Sequence, residues 1–343
     1  MSKIPKHVLV IRLSAMGDVA MTIPVLRQLT KQYPDVKITV LTRTFFIPFF
    51  RNLQNVTIVE ADVKGIHKGI AGLYKLSREL KKLEIDAIAD LHNVLRSNIL
   101  KTFLSRIKTV QIDKGRQEKK ALIKGTYFKQ LKTTHERYAD VFRKLGFDLV
   151  LDSPEYPSKV SLNEKLLNLV KTSKKLIGVA PFAAYNSKVY PLELMAQVVS
   201  TLSKDYTVVL FGGGQKEIMM LDEIANSNNN VINLAGKLTL NEELDIISNL
   251  SVMISMDSGN AHIAAMLGVE VISLWGVTHP FAGFYPFNQQ PSNALLADRS
   301  KYPKIPTSVY GNKYPEGYDH AIASITPERV VSKTIEVIRK ATA

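Results

Sequence analysis

The stretch that most constrains the fold of this chain is Val252–Pro280, VMISMDSGNAHIAAMLGVEVISLWGVTHP. Its opening apolar run, Val252–Met256, is of the kind buried on both faces of a parallel sheet. The run breaks at Asp257-Ser258-Gly259, resumes at helical spacing through Ala261, Ala264, Ala265 and Leu267, breaks again at Gly268, and returns to strand at Val271–Trp275. Strand, small-residue turn, helix and strand make one βαβ unit. Small residues in the turn let the backbone approach a ligand, and the N–H groups opening the helix can hold an anion. The same residues equally suit a helix capped by Asp257 or Ser258, with His262 on its surface.

The alternation runs through the chain twice. In the first half, strands are predicted at His7–Arg12, Lys37–Leu41, Val56–Val59 and Ala87–Leu91. Helices are predicted from the Asp18–Thr22 region to Gln32, over Leu73–Leu83 and over Thr134–Leu145. The aromatic cluster Phe45–Phe50 is expected to pack, a membrane-facing patch being the alternative, and Lys114–Lys132, with little apolar periodicity, to be a mobile basic loop with part-helices. Asp148–Lys159, with Pro154 and Pro157, reads as a linker. The second half restarts with strands at Leu176–Ala180, Thr207–Phe211 and Val231–Leu234, and helices at Pro191–Leu202, Gln215–Ala225 and Asn241–Ser248. After Pro280 the pattern dissolves, until Thr326-Pro327-Glu328 opens a last amphipathic helix with Thr326 as N-cap. The fold class is therefore α/β, with two doubly wound halves. Domains are expected over residues 1–155 and 160–325, with a helix at 326–343 packing back on the first.

Composition bounds the partners. A chain of 343 residues suits two domains of ordinary size. The absence of cysteine excludes disulfides and thiol chemistry and fits a cytoplasmic setting. No apolar run is long enough for a signal peptide or a membrane span. Residues 1–160 hold 29 Lys/Arg against 15 Asp/Glu, whereas residues 161–343 hold 16 of each, so the whole excess of +14 lies in the first half. That half is suited to an anionic partner such as nucleic acid, phosphorylated lipid or a membrane surface.

Four places can carry chemistry. RLSAMGD, Arg12–Asp18, follows the first strand, at the edge where open α/β sheets bind ligands. Asp18 there can serve as a general base or merely cap a helix, with Ser14 and Gly17 beside it as candidate acceptor contacts. DLHNVLRS, Asp90–Ser97, offers His92, Asn93, Arg96 and Ser97 to a polar acceptor. In PFAAYNSKVYP, Lys188 precedes a helix, where a cation is disfavoured unless an anion intervenes. In FGGGQKE, three glycines permit close backbone approach and Glu217 can accept from a ribose or base, although glycines also simply punctuate turns. The remaining histidines show no metal-ligand spacing, and neither GxGxxG, a P-loop nor a G-x-S-x-G elbow is present. No metal and no cofactor are expected.

Together, VLVIRLSAMGDVAMTIPVLRQL, DLHNVLRS, NSKVYP and MDSGNAHIAAMLGVEVISLWGVTHP resemble glycosyltransferase family 9, the ADP-heptose:lipopolysaccharide heptosyltransferases, over nearly the whole chain. The resemblance implies a GT-B fold, two Rossmann-like domains facing across a cleft, acceptor on the first and nucleotide-sugar on the second. It implies inverting transfer with Asp18 as general base, Lys188 on the donor diphosphate, Asp257 near the transferred sugar, Ser258, Gly259 and His262 around the diphosphate, and Glu217 near the nucleoside. The implied donor is ADP-heptose, and the implied acceptor is an anionic glycolipid of lipid A–core type, met at the inner face of the inner membrane by a peripheral cytoplasmic enzyme. Three departures stand out: Ala183-Ala184 where hydroxyl side chains are common, Asn260 where an apolar residue is common, and no cysteine in Tyr302–Tyr318. A different nucleotide-sugar or surface glycan is the nearest alternative. A basic nucleic-acid-binding protein explains the first half but not the second, and a dehydrogenase or epimerase is disfavoured by the missing dinucleotide fingerprint.

Overall fold

Uninterrupted apolar strands belong in the middle of parallel sheets, and that is where the most apolar segments lie. The computed structural model describes residues 4–171 and 173–340; residues 1–3, 172 and 341–343 of the expected domains and last helix lie outside them. The chain divides into two compact units, Met1–Gly115 with Lys132–Glu155, and Arg116–Leu131 with Tyr156–Ala343.

The first unit is built on five parallel strands: β1 (His7–Ile11), β2 (Lys37–Thr42), β3 (Val56–Glu60), β4 (Ala87–Asp90) and β5 (Lys108–Gln111), in the order β3-β2-β1-β4-β5. β1 is central and buried from Val8 to Ile11, and pairs with β4 from Val8 opposite Ala87 to Ile11 opposite Asp90. The helices of the N-terminal half are α1 (Met16–Ala20), α2 (Thr22–Gln32), α3 (Gly69–Lys81), α4 (Leu95–Phe103), α5 (Arg116–Ile123) and α6 (Thr134–Leu145). Leu73, Leu76 and Leu80 of α3 and Leu100 of α4 close one core over Leu9, Ile11 and Ile88. α3 begins a turn before the predicted start at Leu73, because Gly72 lets the helix lie against the His67 backbone, where a Cβ would sit only 2.3 Å away.

The second unit repeats the plan. Its strands are β6 (Leu176–Ala180), β7 (Thr207–Leu210), β8 (Val231–Asn233), β9 (Val252–Met256), β10 (Val271–Trp275) and β11 (Ala294–Leu296), all parallel, ordered β11-β10-β9-β6-β7-β8. Helices α7 (Glu164–Val170), α8 (Leu192–Leu202), α9 (Gln215–Asn226), α10 (Leu240–Ser248), α11 (Gly259–Met266) and α12 (Pro327–Lys340) surround it. Relabelled from its own start, this order is the doubly wound dinucleotide-fold order. The opening stretch of the sequence analysis is the β9-α11-β10 unit.

Two expectations are corrected. The last helix, α12, expected on the first domain, lies against α8 and β9 of the second unit, with Val330, Val337 and Ile338 buried in that unit's core. Burial of three such side chains contributes roughly 5 kcal/mol there, enough to fix its place. Arg116–Leu131 is not a free basic loop. It leaves the first unit and docks on the second through Leu122, Leu131 and Phe128, which pack with Phe281, Ala282 and Phe284. Arg299 lies over the Phe128 ring and Lys119 over the Phe284 ring, at 3.8 and 4.0 Å from the centroids. Cation–π contact is what makes a lysine-rich segment pack against aromatics. Among the described residues, no helix is long and apolar enough to cross a membrane.

Candidate active site

In each unit the strand order reverses at one pair of adjacent parallel strands, β1/β4 in the first and β6/β9 in the second. The loops leaving those strands diverge there and open a crevice. The predicted residues of each half lie on the loops leaving these strands or at the helix starts that follow them, except Glu217, which lies in α9 after β7.

In the first unit, Arg12 directly follows β1 and is buried. One guanidinium nitrogen donates to the Leu91 carbonyl at 2.6 Å, and the other meets Asp18 Oδ2 at 2.5 Å. Asp18 is the third residue of α1 and also accepts from the Ala15 backbone N–H at 3.3 Å, so the capping role and the ion pair coexist. Buried Tyr138 donates its hydroxyl to the Asp18 carbonyl at 3.3 Å; burial pushes its pKa up, which keeps it a donor. The carboxylate is thus oriented from two sides, while its side chain remains 28% exposed. Ser14 Oγ lies 3.5 Å from His92 Nε2, and Gly17 is partly exposed on α1. Burial first, then the charges of Arg12 and Lys114, lower the His92 pKa to about 4, so the ring is neutral at physiological pH.

The β4–α4 loop is organised by a residue that reasoning from sequence passed over. Asp90 is fully buried and accepts from the backbone N–H of His92 at 3.0 Å and of Asn93 at 2.8 Å, from Ser97 Oγ at 3.0 Å and from Lys101 Nζ at 2.6 Å. Ser97 is accordingly engaged inside the loop, also accepting from the Val94 N–H. Asn93 holds φ +45 and donates its amide to the Ile112 carbonyl, whereas Arg96 is exposed. Of the four predicted residues in this loop, His92 lies beside Asp18's loop, Asn93 and Ser97 shape the turn, and Arg96 faces solvent. A depression of about 740 Å³ between α4 and β5, lined by Asn98, Lys101, Arg106 and Lys108, contains none of the predicted residues.

In the second unit, Lys188 Nζ and Asp257 Oδ2 meet at 3.0 Å, joining the β6 loop to the C-terminal end of β9. Thr278, beyond β10, donates its hydroxyl to the same carboxylate oxygen at 2.9 Å. The lysine sits in the single turn Asn186–Lys188, whose Ser187 is buried and donates to the Gly311 carbonyl at 2.5 Å. Two glycines make that seat possible. A Cβ at Gly276 would lie 2.6 Å from the Ser187 carbonyl oxygen, and one at Gly311 would lie 2.7 Å from Lys188 Cδ. Ser258 is the N-cap of α11 but offers no side-chain bond to the helix; its hydroxyl meets Ser255 Oγ at 3.1 Å. The first-turn amides starting at Gly259 therefore lie open to an anion as far as Ser258 is concerned. His262 is buried in that first turn. Glu217 stands apart from this group, its Oε2 accepting from the Gly213 N–H at 2.7 Å, so it closes the glycine turn.

Arg12, Asp90 and Thr278 were missed as site-forming residues. Arg12 and Asp90 share a legible signal, a charge that closes an otherwise apolar buried strand. Thr278 carries none.

Comparison with known proteins agrees with this architecture. The sequence model of glycosyltransferase family 9 (heptosyltransferase) matches residues 73–313, well over half of the chain. The lipopolysaccharide core heptosyltransferase OpsX of Haemophilus influenzae is 24% identical over 284 residues, 80% of each chain. Among solved structures, a glycosyl transferase family 9 protein from Veillonella parvula superposes with TM-score 0.76 at 21% identity over 98% of both chains. The E. coli ADP-heptose lps heptosyltransferase II does so with TM-score 0.71 at 22% identity, over 98% of this chain and 100% of its own. The two parallel-sheet domains are those of the GT-B fold, and the chain is a glycosyltransferase belonging to family 9, the heptosyltransferases.

Proposed function

We propose that the protein transfers heptose from ADP-heptose to the inner core of lipopolysaccharide by inverting displacement. The observation that carries this reading is the opposite character of the two switch-point loops. The first domain offers an oriented, partly exposed carboxylate, Asp18, while the second offers Lys188 beside the open start of α11. An inverting displacement needs a base for the acceptor hydroxyl and positive groups for the charge developing on the departing diphosphate. Asp18 takes the proton as the hydroxyl oxygen bonds to the anomeric carbon and the bond to the diphosphate oxygen breaks. Lys188, released in part from Asp257, and the amides from Gly259 onward receive the ADP. Asp257, held by Thr278, stands near the sugar. His92, neutral, serves as a hydrogen-bonding partner for the acceptor, and exposed Arg96 serves its anionic groups. The acceptor is a phosphorylated glycolipid, and the enzyme works at the inner-membrane surface.

The test is ADP release from a panel of nucleotide-sugars with heptose-deficient lipooligosaccharide as acceptor. Release confined to ADP-heptose supports the reading. Turnover with another nucleotide-sugar and none with ADP-heptose overturns the donor assignment.

A further inference from the structure

Part of the excess charge of the first half lies beside an unusual exposure of apolar side chains. In a parallel sheet every strand's C-terminal end lies at the same edge, so the segments following β1, β2, β3 and β4 start together there. The first supplies Asp18. The other three each present large apolar residues to solvent: Phe45 after β2, Ile66 with Ile70 and Tyr74 after β3, and Leu95 after β4. Their exposures run from 48% for Tyr74 to 76% for Leu95. Ile4 and Val150 are the other large apolar residues among the described residues of this unit that are comparably exposed, and neither follows a strand. Scattered exposed apolar residues need no explanation, but a set gathered on one edge does.

The β3–α3 tip is firmly built. The Asp62 carboxylate accepts from the N–H groups of Gly65 and Ile66 at 2.8 and 3.0 Å, and the Asp62 N–H donates to His67 Nδ1 at 3.1 Å. Gly72 then lets α3 close onto the His67 backbone. Ile66 is thereby held out just before the helix, and Ile70 and Tyr74, four residues apart, share one face of α3. Lys64 and Lys68 flank this tip, beside Glu60 and Asp62, and Lys75, Arg78, Lys81 and Lys82 follow along α3 with the single acid Glu79; all six cations are exposed. The exposed face of α3 thus passes from apolar at its first turns to cationic at its last.

We infer that the loop tips of this edge, led by Ile66 and Ile70 and flanked by Lys64 and Lys68, form a docking face for an anionic phospholipid bilayer. Short apolar tips on separate loops suit a bilayer interface, where each side chain enters independently and no matching surface is needed. Lysines at the same depth match a negatively charged leaflet. Nucleic acid would be served by the cations but gives no reason for Ile66 or Ile70. Docking by this edge brings the Asp18 loop to the membrane surface, where a lipid-anchored acceptor presents its sugars. The inference deepens the proposed function and takes its purpose from it, but its test does not depend on turnover.

The experiment is flotation of the full-length protein with vesicles containing phosphatidylglycerol and with vesicles of phosphatidylcholine alone. Wild type is expected to float with the former and not the latter. Ile66→Ser/Ile70→Ser should weaken vesicle binding about tenfold, and Lys64→Glu/Lys68→Glu by a similar factor with reduced salt sensitivity. Thermal unfolding of both variants should match wild type. Absence of wild-type flotation overturns the inference. So does undiminished flotation of the isoleucine variant, or binding to duplex DNA in place of vesicles. Transfer assayed on a delipidated, soluble core oligosaccharide separates the two readings: failure there with intact flotation removes the proposed reaction and leaves the docking face standing.

Discussion

Gly311 and Lys188 are packed so closely that only hydrogen fits between the glycine Cα and the lysine stem. A Cβ at Gly311 would lie 2.7 Å from Lys188 Cδ and 2.8 Å from its Cγ, and the glycine holds φ +85. The Ser308 hydroxyl fixes the loop by accepting from the Gly311 N–H at 3.1 Å and from the Lys313 N–H at 3.3 Å. Gly311→Ala is therefore expected to push the lysine off its seat and to strain the loop by about 1–3 kcal/mol. Donor KM should rise roughly tenfold while acceptor KM holds. Steady-state kinetics with each substrate varied separately checks this; an unchanged donor KM would remove the loop from donor positioning.

Asp18→Ala should lower kcat by about a hundredfold or more, the range of a lost general base. Affinity for the donor, measured by calorimetry with ADP, should stay within a factor of two or so, since Asp18 and Lys188 belong to different domains. Wild-type turnover in this variant would end the assignment of Asp18 as base.

Lys188→Met should weaken ADP binding and slow transfer together, because the same cation serves ground state and transition state. It also leaves Asp257, 10% exposed, with Thr278 in place of its ion pair. Breaking a buried pair from one side costs about 3 kcal/mol or more. The second domain should accordingly unfold earlier than in wild type, and Lys188→Met/Asp257→Leu should recover stability but not ADP affinity. A double variant that regains tight ADP binding would show that the lysine does not hold the diphosphate.

Acid should destabilise the protein well before its carboxylates protonate. His92 and His279 are both buried with their pKa values lowered to about 4, by burial first and then by nearby arginine charge. The unfolded chain takes up protons on these rings near pH 6.5, whereas the native state does so only near pH 4. Stability is therefore complete above pH 6.5 and falls as the pH drops through that window, by on the order of 2–3 kcal/mol per histidine. Urea titrations between pH 7 and 4 should show the loss, and His279→Phe should flatten it for the second domain only. A pH-independent midpoint across this range would contradict both assignments.

What the sequence made legible was whatever repeats with a period. Apolar runs and helical spacing located the strands of both sheet centres, and the residues after β1, β6 and β9 were found because strand ends are where small and charged residues gather. Edge elements were harder. β5 is a four-residue edge strand with three exposed residues, Lys108, Thr109 and Gln111, and so leaves no apolar signature. α5 reads as a charged loop because its attachment depends on one buried leucine, Leu122, and on cation–π stacking by Lys119, neither of which has a period. Roles inside a loop were harder again. Nothing in DLHNVLRS says that Ser97 turns inward to Asp90 while Arg96 turns out; that follows from the turn closing around a buried carboxylate. Likewise the spacing of FGGGQKE is blind to Glu217 folding back on Gly213.

The docking of Arg116–Leu131 on the second unit changes how this protein can be divided. Its backbone passes from one unit to the other after Gly115, back after Leu131, and across again after Glu155. A fragment starting at Tyr156 lacks Leu122, Phe128 and Leu131, and leaves Phe281 and Phe284 without their cover. This second domain, moved into a relative, would arrive with those aromatics bare unless the sixteen residues from Arg116 to Leu131 came with it. Exchange of donor specificity by shuffling whole domains therefore needs three junctions, and a single recombination point in the proline-containing linker would yield a chain prone to aggregate.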